Sequence, residues 1–320
     1  MNKKNLFLSL ICLAVIVLLV VDPKTNIDAC LSGIKLWSSA ILPALLPFFI
    51  LTSLLSRLGF VQKLGSFFSP ITTRLYNTPG ISGYIFAMSV ISGYPVGAKT
   101  TAELYENNYL SMGQACKITT FTSTSGPLFI VGTVGISMFG NAKLGYLILI
   151  SHILGAFFNG ILYRNTFKHE KPTSIKTYSL NSNNVLEDIM FGSIKSILIV
   201  GGYIAIFYML ITMLNNYHIF SPINKFIALI TRSNSQNVSA ITNGIIEVTR
   251  GCLDISKLNI STKKALVLCT GLISFGGFSI HLQALTFLKK FNMPLSYYFK
   301  SKISQTAISV LIALILSVFI

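Results

Sequence analysis

The chain has 320 residues, of which 52% are hydrophobic and 11% charged, with a mean hydropathy of +0.68. That balance lies outside the composition of soluble domains and describes an all-α polytopic membrane protein. The net charge of +16 is what Lys- and Arg-rich inner loops produce, so no nucleic-acid partner follows from it.

Charge-free stretches run over residues 5–21, 36–56, 75–98, 118–142, 144–163, 196–224, 265–288 and 303–320. Most of them reach the roughly 20 residues that a spanning helix needs. Lys3 and Lys4 precede the first, which reads as an uncleaved spanning helix with a cytoplasmic N-terminus and an outer loop to residue 32. Within 36–56, Pro43 and Pro47 predict a kink. Residues 57–74 mix Arg57, Lys63 and Arg74 with Leu, Phe and Val, as a helix lying at the bilayer interface does.

The next apolar stretch is broken by Ser92-Gly93-Tyr94-Pro95-Val96-Gly97-Ala98-Lys99. Glycine loosens a helix interior and proline removes a donor from it. In lipid such an interruption survives where the freed backbone faces protein, water or a ligand, and half-helices of this kind mark transporter sites. The stretch is read as the tip of a re-entrant hairpin that leaves through residues 100–108. Residues 117–140 follow, interrupted at Ser125-Gly126-Pro127, then a plain spanning helix over 144–163. The polar segment after it, a cytoplasmic linker over 166–191, is too short for a soluble catalytic domain.

The second half repeats the first. Phe68-Ser69-Pro70-Ile71 recurs as Phe220-Ser221-Pro222-Ile223, Gly93 to Lys99 aligns with Gly244 to Arg250, and Gly126 falls on Gly276. The ordered set of breaks predicts an internal repeat, residues 33–165 and 192–320. Three crossings in the first copy make the second inverted, the plan in which binding sites lie at the repeat interface. Of the 25 Lys and Arg, 13 then fall inside, Lys302 among them, and seven outside, which follows the positive-inside rule.

Ionisable groups inside the membrane are functional candidates by default. Lys99 and Glu103 lie four apart and Glu247 and Arg250 three apart, so each pair shares a helical face. They read either as ion pairs that make the hairpins tolerable in lipid or as a site in which Lys99 and Arg250 converge on an anion. Helix N-termini at the Gly93 and Gly126 breaks would add positive ends. Thr119, Thr120, Thr122, Ser123, Thr124 and Ser125 form a hydroxyl-dense run beside Gly126, opposite Asn243, Ser274, Ser279, His281 and Gln283. The expected substrate-binding set is Gly93, Tyr94, Pro95, Lys99, Ser123, Thr124, Ser125, Gly126, Asn243, Arg250, Gly276, Gly277 and His281, with Glu103 and Glu247 as ion-coupling candidates. Gly80-Ile81-Ser82-Gly83 matches a serine-protease pattern with His152 or His281 as base, but so short a match arises readily by chance, and no enzyme is expected. The five cysteines show no ligand or bridging spacing, so neither a metal nor a cofactor is expected.

The motifs Ser92-Gly-Tyr-Pro-Val-Gly-Ala-Lys99, Ser125-Gly-Pro-Leu-Phe-Ile-Val-Gly-Thr-Val-Gly135 and Gly276-Gly-Phe-Ser-Ile-His281 resemble those of the sporulation integral membrane protein family, within the Gate or nucleoside-recognition membrane domains. The resemblance covers nearly the whole chain. It implies a fold similar to the concentrative nucleoside transporters, although their Asn-Glu signature is absent here. It further implies export of dipicolinate, a small planar dianion, from the mother cell across the outer forespore membrane. The alternatives are a nucleoside-type solute and a non-transporting gate or scaffold. Beyond the bilayer and the small anion, the resemblance leaves room for a further copy of the chain as partner, since related folds oligomerise, but no residue marks a contact surface.

Overall fold

The structure, a computed structural model, describes residues 3–58, 60–167 and 185–320; the part of the expected linker at 168–184 lies outside them. Every regular element among the described residues is helical. Helix α1 (Lys3–Val21) ends at Asp22, whose carboxylate accepts from the Thr25 N–H at 3.3 Å and so caps α2 (Pro23–Leu36). The outer loop expected before residue 32 is therefore helix, because Pro23 sits in the first turn, where no donor is needed. A π-helical turn (Trp37–Ile41) joins α2 to α3 (Leu42–Arg57). Pro43 leaves the carbonyl one turn back without its usual partner, and the helix widens just before it.

The first half continues through α4 (Phe60–Tyr76), α5 (Ile81–Ser92), α6 (Val96–Glu106), α7 (Met112–Thr119), a π-helical segment (Leu128–Met138) and α8 (Ala142–Leu162). The second runs α9 (Val185–Asn216), α10 (Ser221–Thr231), α11 (Ser235–Ile246), α12 (Val248–Ser256), α13 (Thr262–Phe275), α14 (Gly277–Leu288) and α15 (Leu295–Leu316). Each half thus orders its elements as an apolar helix, a short surface helix, two helices around a break, two more around a second break, and a closing span. Ser111 and Ser261 cap α7 and α13 alike, accepting from the N–H groups of Gln114 at 3.2 Å and Lys264 at 3.4 Å. The repeated Phe-Ser-Pro-Ile tetrapeptide does not occupy equivalent places, however. Pro70 is inside α4, whereas Pro222 opens α10, since α9 runs on to Asn216 before the chain turns.

Among the described residues four helices are long and apolar enough to cross a membrane, or five if the pair bent at Asp22 is one span. The chain is an all-α polytopic membrane protein. Its lipid-facing sides carry exposed Leu, Ile and Phe, such as Leu198, Ile206, Leu311 and Ile315, and the short helices α4 and α10 expose Phe67, Phe226 and Leu229. Water would not tolerate such surfaces on so many helices, and a bilayer requires them.

The closing spans of the two halves, α8 and α15, lie along one another, and α15 also packs on α13. At their contact a Cβ on Gly155 would overlap Ser309. On the far side α2 and α3 pack against α9, where Leu45 and Phe49 meet Ile197, Val200 and Ile204. The broken segments occupy the space between these two groups.

Candidate functional site

The first break is narrower than the sequence suggests. Helix α5 stops at Ser92, Gly93 takes φ +83°, the Tyr94–Pro95 peptide is cis, and α6 resumes at Val96, leaving Gly97 and Lys99 helical. A positive φ favours glycine. Here the neighbourhood demands it as well, because a Cβ at Gly93 would lie 2.5 Å from the Gly126 nitrogen. The second break covers residues 120–127, between α7 and the π-helical segment, and the Thr124 hydroxyl donates to Ser89 Oγ across the gap at 3.2 Å. The two interruptions of the first half are therefore interlocked.

In the second half the break falls at Glu247 rather than Gly244, which is inside α11 and faces Gly251 of α12. Glu247 is extended (φ −141°, ψ 115°) and acts as the N-cap of α12. Its Oε2 accepts from the Arg250 N–H at 2.7 Å and its Oε1 from the Thr249 hydroxyl at 3.0 Å. Such a cap satisfies donors that a helix start leaves open. The last break, at Gly276 (φ +97°) and Gly277 (φ +66°), turns α13 into α14.

These breaks meet in a cavity of about 120 Å³. Ser92, Gly93, Tyr94, Ser125 and Gly126 line it from the first half, and Glu247, Val248, Thr249, Ile280 and Gln283 from the second. Ile41, Leu45 and Phe48 of the α2–α3 helix and Val200 and Ile204 of α9 form an apolar wall opposite. An apolar body with polar ends fits such a lining.

The expected convergence of Lys99 and Arg250 is not what the side chains do. Lys99 is 3.6 Å from Glu103 and lies over the Phe49 ring at 4.8 Å, and Arg250 bonds Asp254 at 3.0 Å. Neither lines the cavity, nor does Glu103. Arg250 uses Asp254 because the carboxylate of Glu247 is turned back onto the start of its own helix. Asn243 belongs to that same cluster, donating to Asp254 at 2.7 Å, and is not a cavity residue. His281 sits among the rings of Phe275, Phe278, Tyr298 and Phe299, with Nδ1 2.9 Å from the Tyr298 hydroxyl. Pro95, Ser123, Thr124, Gly276 and Gly277 lie beside the cavity without lining it, although the Gly276 Cβ position is 3.7 Å from Tyr94 Oη. In the hydroxyl run, Thr119, Thr120 and Ser123 bond carbonyls of their own chain segment, and Ser125 reaches the cavity. Ser82 is paired with Thr78 at 2.8 Å.

Three residues outside the expected set hold the site together. His152 of α8 accepts the Ser125 N–H on Nε2 at 2.9 Å, and its Nδ1 meets Ser274 Oγ at 2.9 Å. A backbone N–H can only donate, so Nδ1 of the neutral ring carries the proton and donates to Ser274. One imidazole thereby joins a break of the first half to α13 of the second. Asn159, also on α8, donates to the Thr120 carbonyl at 2.7 Å and to Ser301 Oγ at 3.1 Å, and accepts from the Ser304 hydroxyl at 2.7 Å. Lys302 of α15, 1% exposed, donates to Tyr94 Oη at 2.5 Å, Gln305 Oε1 at 2.9 Å and the Ser123 carbonyl at 3.4 Å. Its placement corrects the reading of Lys302 as an inner-loop charge. The signal was Pro294, which starts α15 at Leu295 and puts Lys302 two turns inside the helix.

Comparison with known proteins adds one match. The chain is 28% identical over 307 residues to the sporulation integral membrane protein YlbJ of Bacillus subtilis (strain 168), covering 88% of this chain and 75% of that protein. No family model matches. No solved structure matches either. Identity sustained over most of both chains supports the sporulation integral membrane protein family.

Proposed function

We propose, from its kinship with the sporulation integral membrane proteins, that this chain serves sporulation as a membrane transporter of a small anionic solute, with dipicolinate the favoured substrate. The observation that carries this reading is the cavity lined by broken segments of both halves. Its apolar wall suits the faces of a planar ring, and Ser92, Ser125, Thr249 and Gln283 offer hydrogen-bonding groups at the edges. Under the inverted-repeat plan, such a site opens alternately to either side as one group of helices rocks against the other.

Glu247 takes the coupling role in this scheme. It is 2% exposed, lines the cavity and has no basic side chain bonded to it among the described residues. A dianion and an ionised Glu247 repel in so small a space, so the solute binds with Glu247 protonated, and the proton travels with it. Glu103, half-exposed and paired with Lys99, lies outside that scheme.

One observation favours a second reading. Among the described residues no Lys or Arg lines the cavity, and a neutral ring solute of the nucleoside kind would be held there by hydrogen bonds alone. Proteoliposomes separate the two. Saturable uptake of labelled dipicolinate, driven by an imposed proton gradient and uncoupled from it in Glu247→Gln, is the expected result. Folded protein with no dipicolinate flux, but with uridine flux, would replace the first reading with the second.

A further inference from the structure

Among the described residues, Lys302 is a buried cation without a counter-charge. Its three acceptors, Tyr94 Oη, Gln305 Oε1 and the Ser123 carbonyl, are all neutral. The ion pairs among the described residues are Lys99 with Glu103, Arg250 with Asp254 and Lys290 with Glu106, none of which includes it. An ammonium withdrawn from water costs several kcal/mol unless an anion faces it. A helix that needed only a polar tie to residue 123 could have used Gln305 alone, whose Nε2 already donates to the Ser123 carbonyl at 3.2 Å.

The lysine is also one side chain away from the cavity. Tyr94 lines the cavity, its hydroxyl donates to the Ser123 carbonyl at 2.6 Å, and its ring lies 5.1 Å from Nζ. Tyr94 is thus a screen between the charge and the space in which a solute would sit. Gln305 fixes the ammonium from behind, its Oε1 on Nζ and its Nε2 on Ser123. A cation so held in a low-dielectric setting is preorganised for a carboxylate.

We propose that Lys302 is the counter-charge for a carboxylate of the transported solute, exposed to the cavity when Tyr94 swings away from Ser123; this rests on the reading of the cavity as an anion site. The probes are pyridine-2,6-dicarboxylate and its uncharged diamide, titrated calorimetrically into the purified full-length protein in detergent. The unsubstituted protein is expected to prefer the dicarboxylate. Lys302→Gln, which drops the charge and keeps hydrogen-bonding capacity, should lose about a hundredfold in dicarboxylate affinity while binding the diamide as before. Lys302→Arg should recover most of the preference, and Lys290→Met, at the surface pair with Glu106, should leave both affinities in place. Tyr94→Phe provides an arm that does not depend on the lysine variants folding. With the hydroxyl gone, dicarboxylate affinity should rise severalfold and diamide affinity should not. An undiminished dicarboxylate preference in Lys302→Gln, or an unchanged or weaker one in Tyr94→Phe, overturns the role of Lys302. Absence of any dicarboxylate preference in the unsubstituted protein overturns instead the anion reading on which it rests.

Discussion

At the scale of single residues the site depends on positions where no side chain fits. Gly93 combines φ +83° with a Cβ position 2.5 Å from the Gly126 nitrogen. Gly93→Ala should therefore destabilise the fold by about 1–3 kcal/mol, through backbone strain and the forced parting of the two breaks. Gly132, in the π-helical segment, has nothing within 4 Å of its Cβ position, so Gly132→Ala should be neutral or slightly stabilising. Thermal unfolding of the two variants in the same detergent measures the difference. His152→Ala leaves both the Ser125 N–H and the Ser274 hydroxyl without their partner, at about 1–3 kcal/mol for each buried group left unmet. The same unfolding experiment should show that loss, and protection of the Ser125 amide against hydrogen exchange should fall with it.

Among elements, the breaks are legible in the sequence because glycine within two residues of proline, or next to a second glycine, weakens a helix at the very place where lipid demands an unbroken one. Gly93 and Pro95 mark the first, Gly126 and Pro127 the second, and Gly276 and Gly277 the last. The break at Glu247 is displaced from the expected Gly244 because glycine also serves close helix packing, and Gly244 faces Gly251 for that purpose. The acid at 247 ends one helix and caps the next, a double use that spacing alone does not reveal. Lys302 escapes a sequence reading for a related reason. Residues 303–320 are charge-free and so mark a span, whereas the helix begins eight residues earlier, at Leu295. Charge-free length marks what lipid tolerates, not where hydrogen bonding starts. The α8–α15 contact is open to its own test. Gly155→Val puts a branched side chain where Ser309 already sits, and should part the two helices at a cost of about 1–3 kcal/mol, the usual penalty for overpacking. Ser309→Gly in the same chain should restore part of the lost thermal stability.

On the scale of the whole molecule, composition settles the class and leaves the site's electrostatics open. The excess of basic residues suggests a cavity walled by Lys99 and Arg250, yet each of these is neutralised by an acid one turn along its own helix. The spacing of four is visible in the sequence, as is the rule that such pairs meet. Which of two acids Arg250 chooses is not, because Glu247 and Asp254 are both within reach of its helix face. The polar centre depends instead on His152 and Asn159, two turns apart on α8, and on Lys302, far from them in sequence, which the packing of α8 on α15 brings together.

Because Gly155 lets the backbones of α8 and α15 approach without a side chain between them, the pair behaves as one stiff beam, from which His152, Asn159 and Lys302 all hang. Across the cavity, Leu45, Phe48, Val200 and Ile204 present only aliphatic and aromatic carbon, a greased face whose ties to the broken segments lie away from it, where Tyr84 donates to the Thr52 carbonyl and Asn215 to Asn243 Oδ1, each at 3.2 Å. The hard side of the bearing is thus polar, and alternating access would have its slip plane along the soft side.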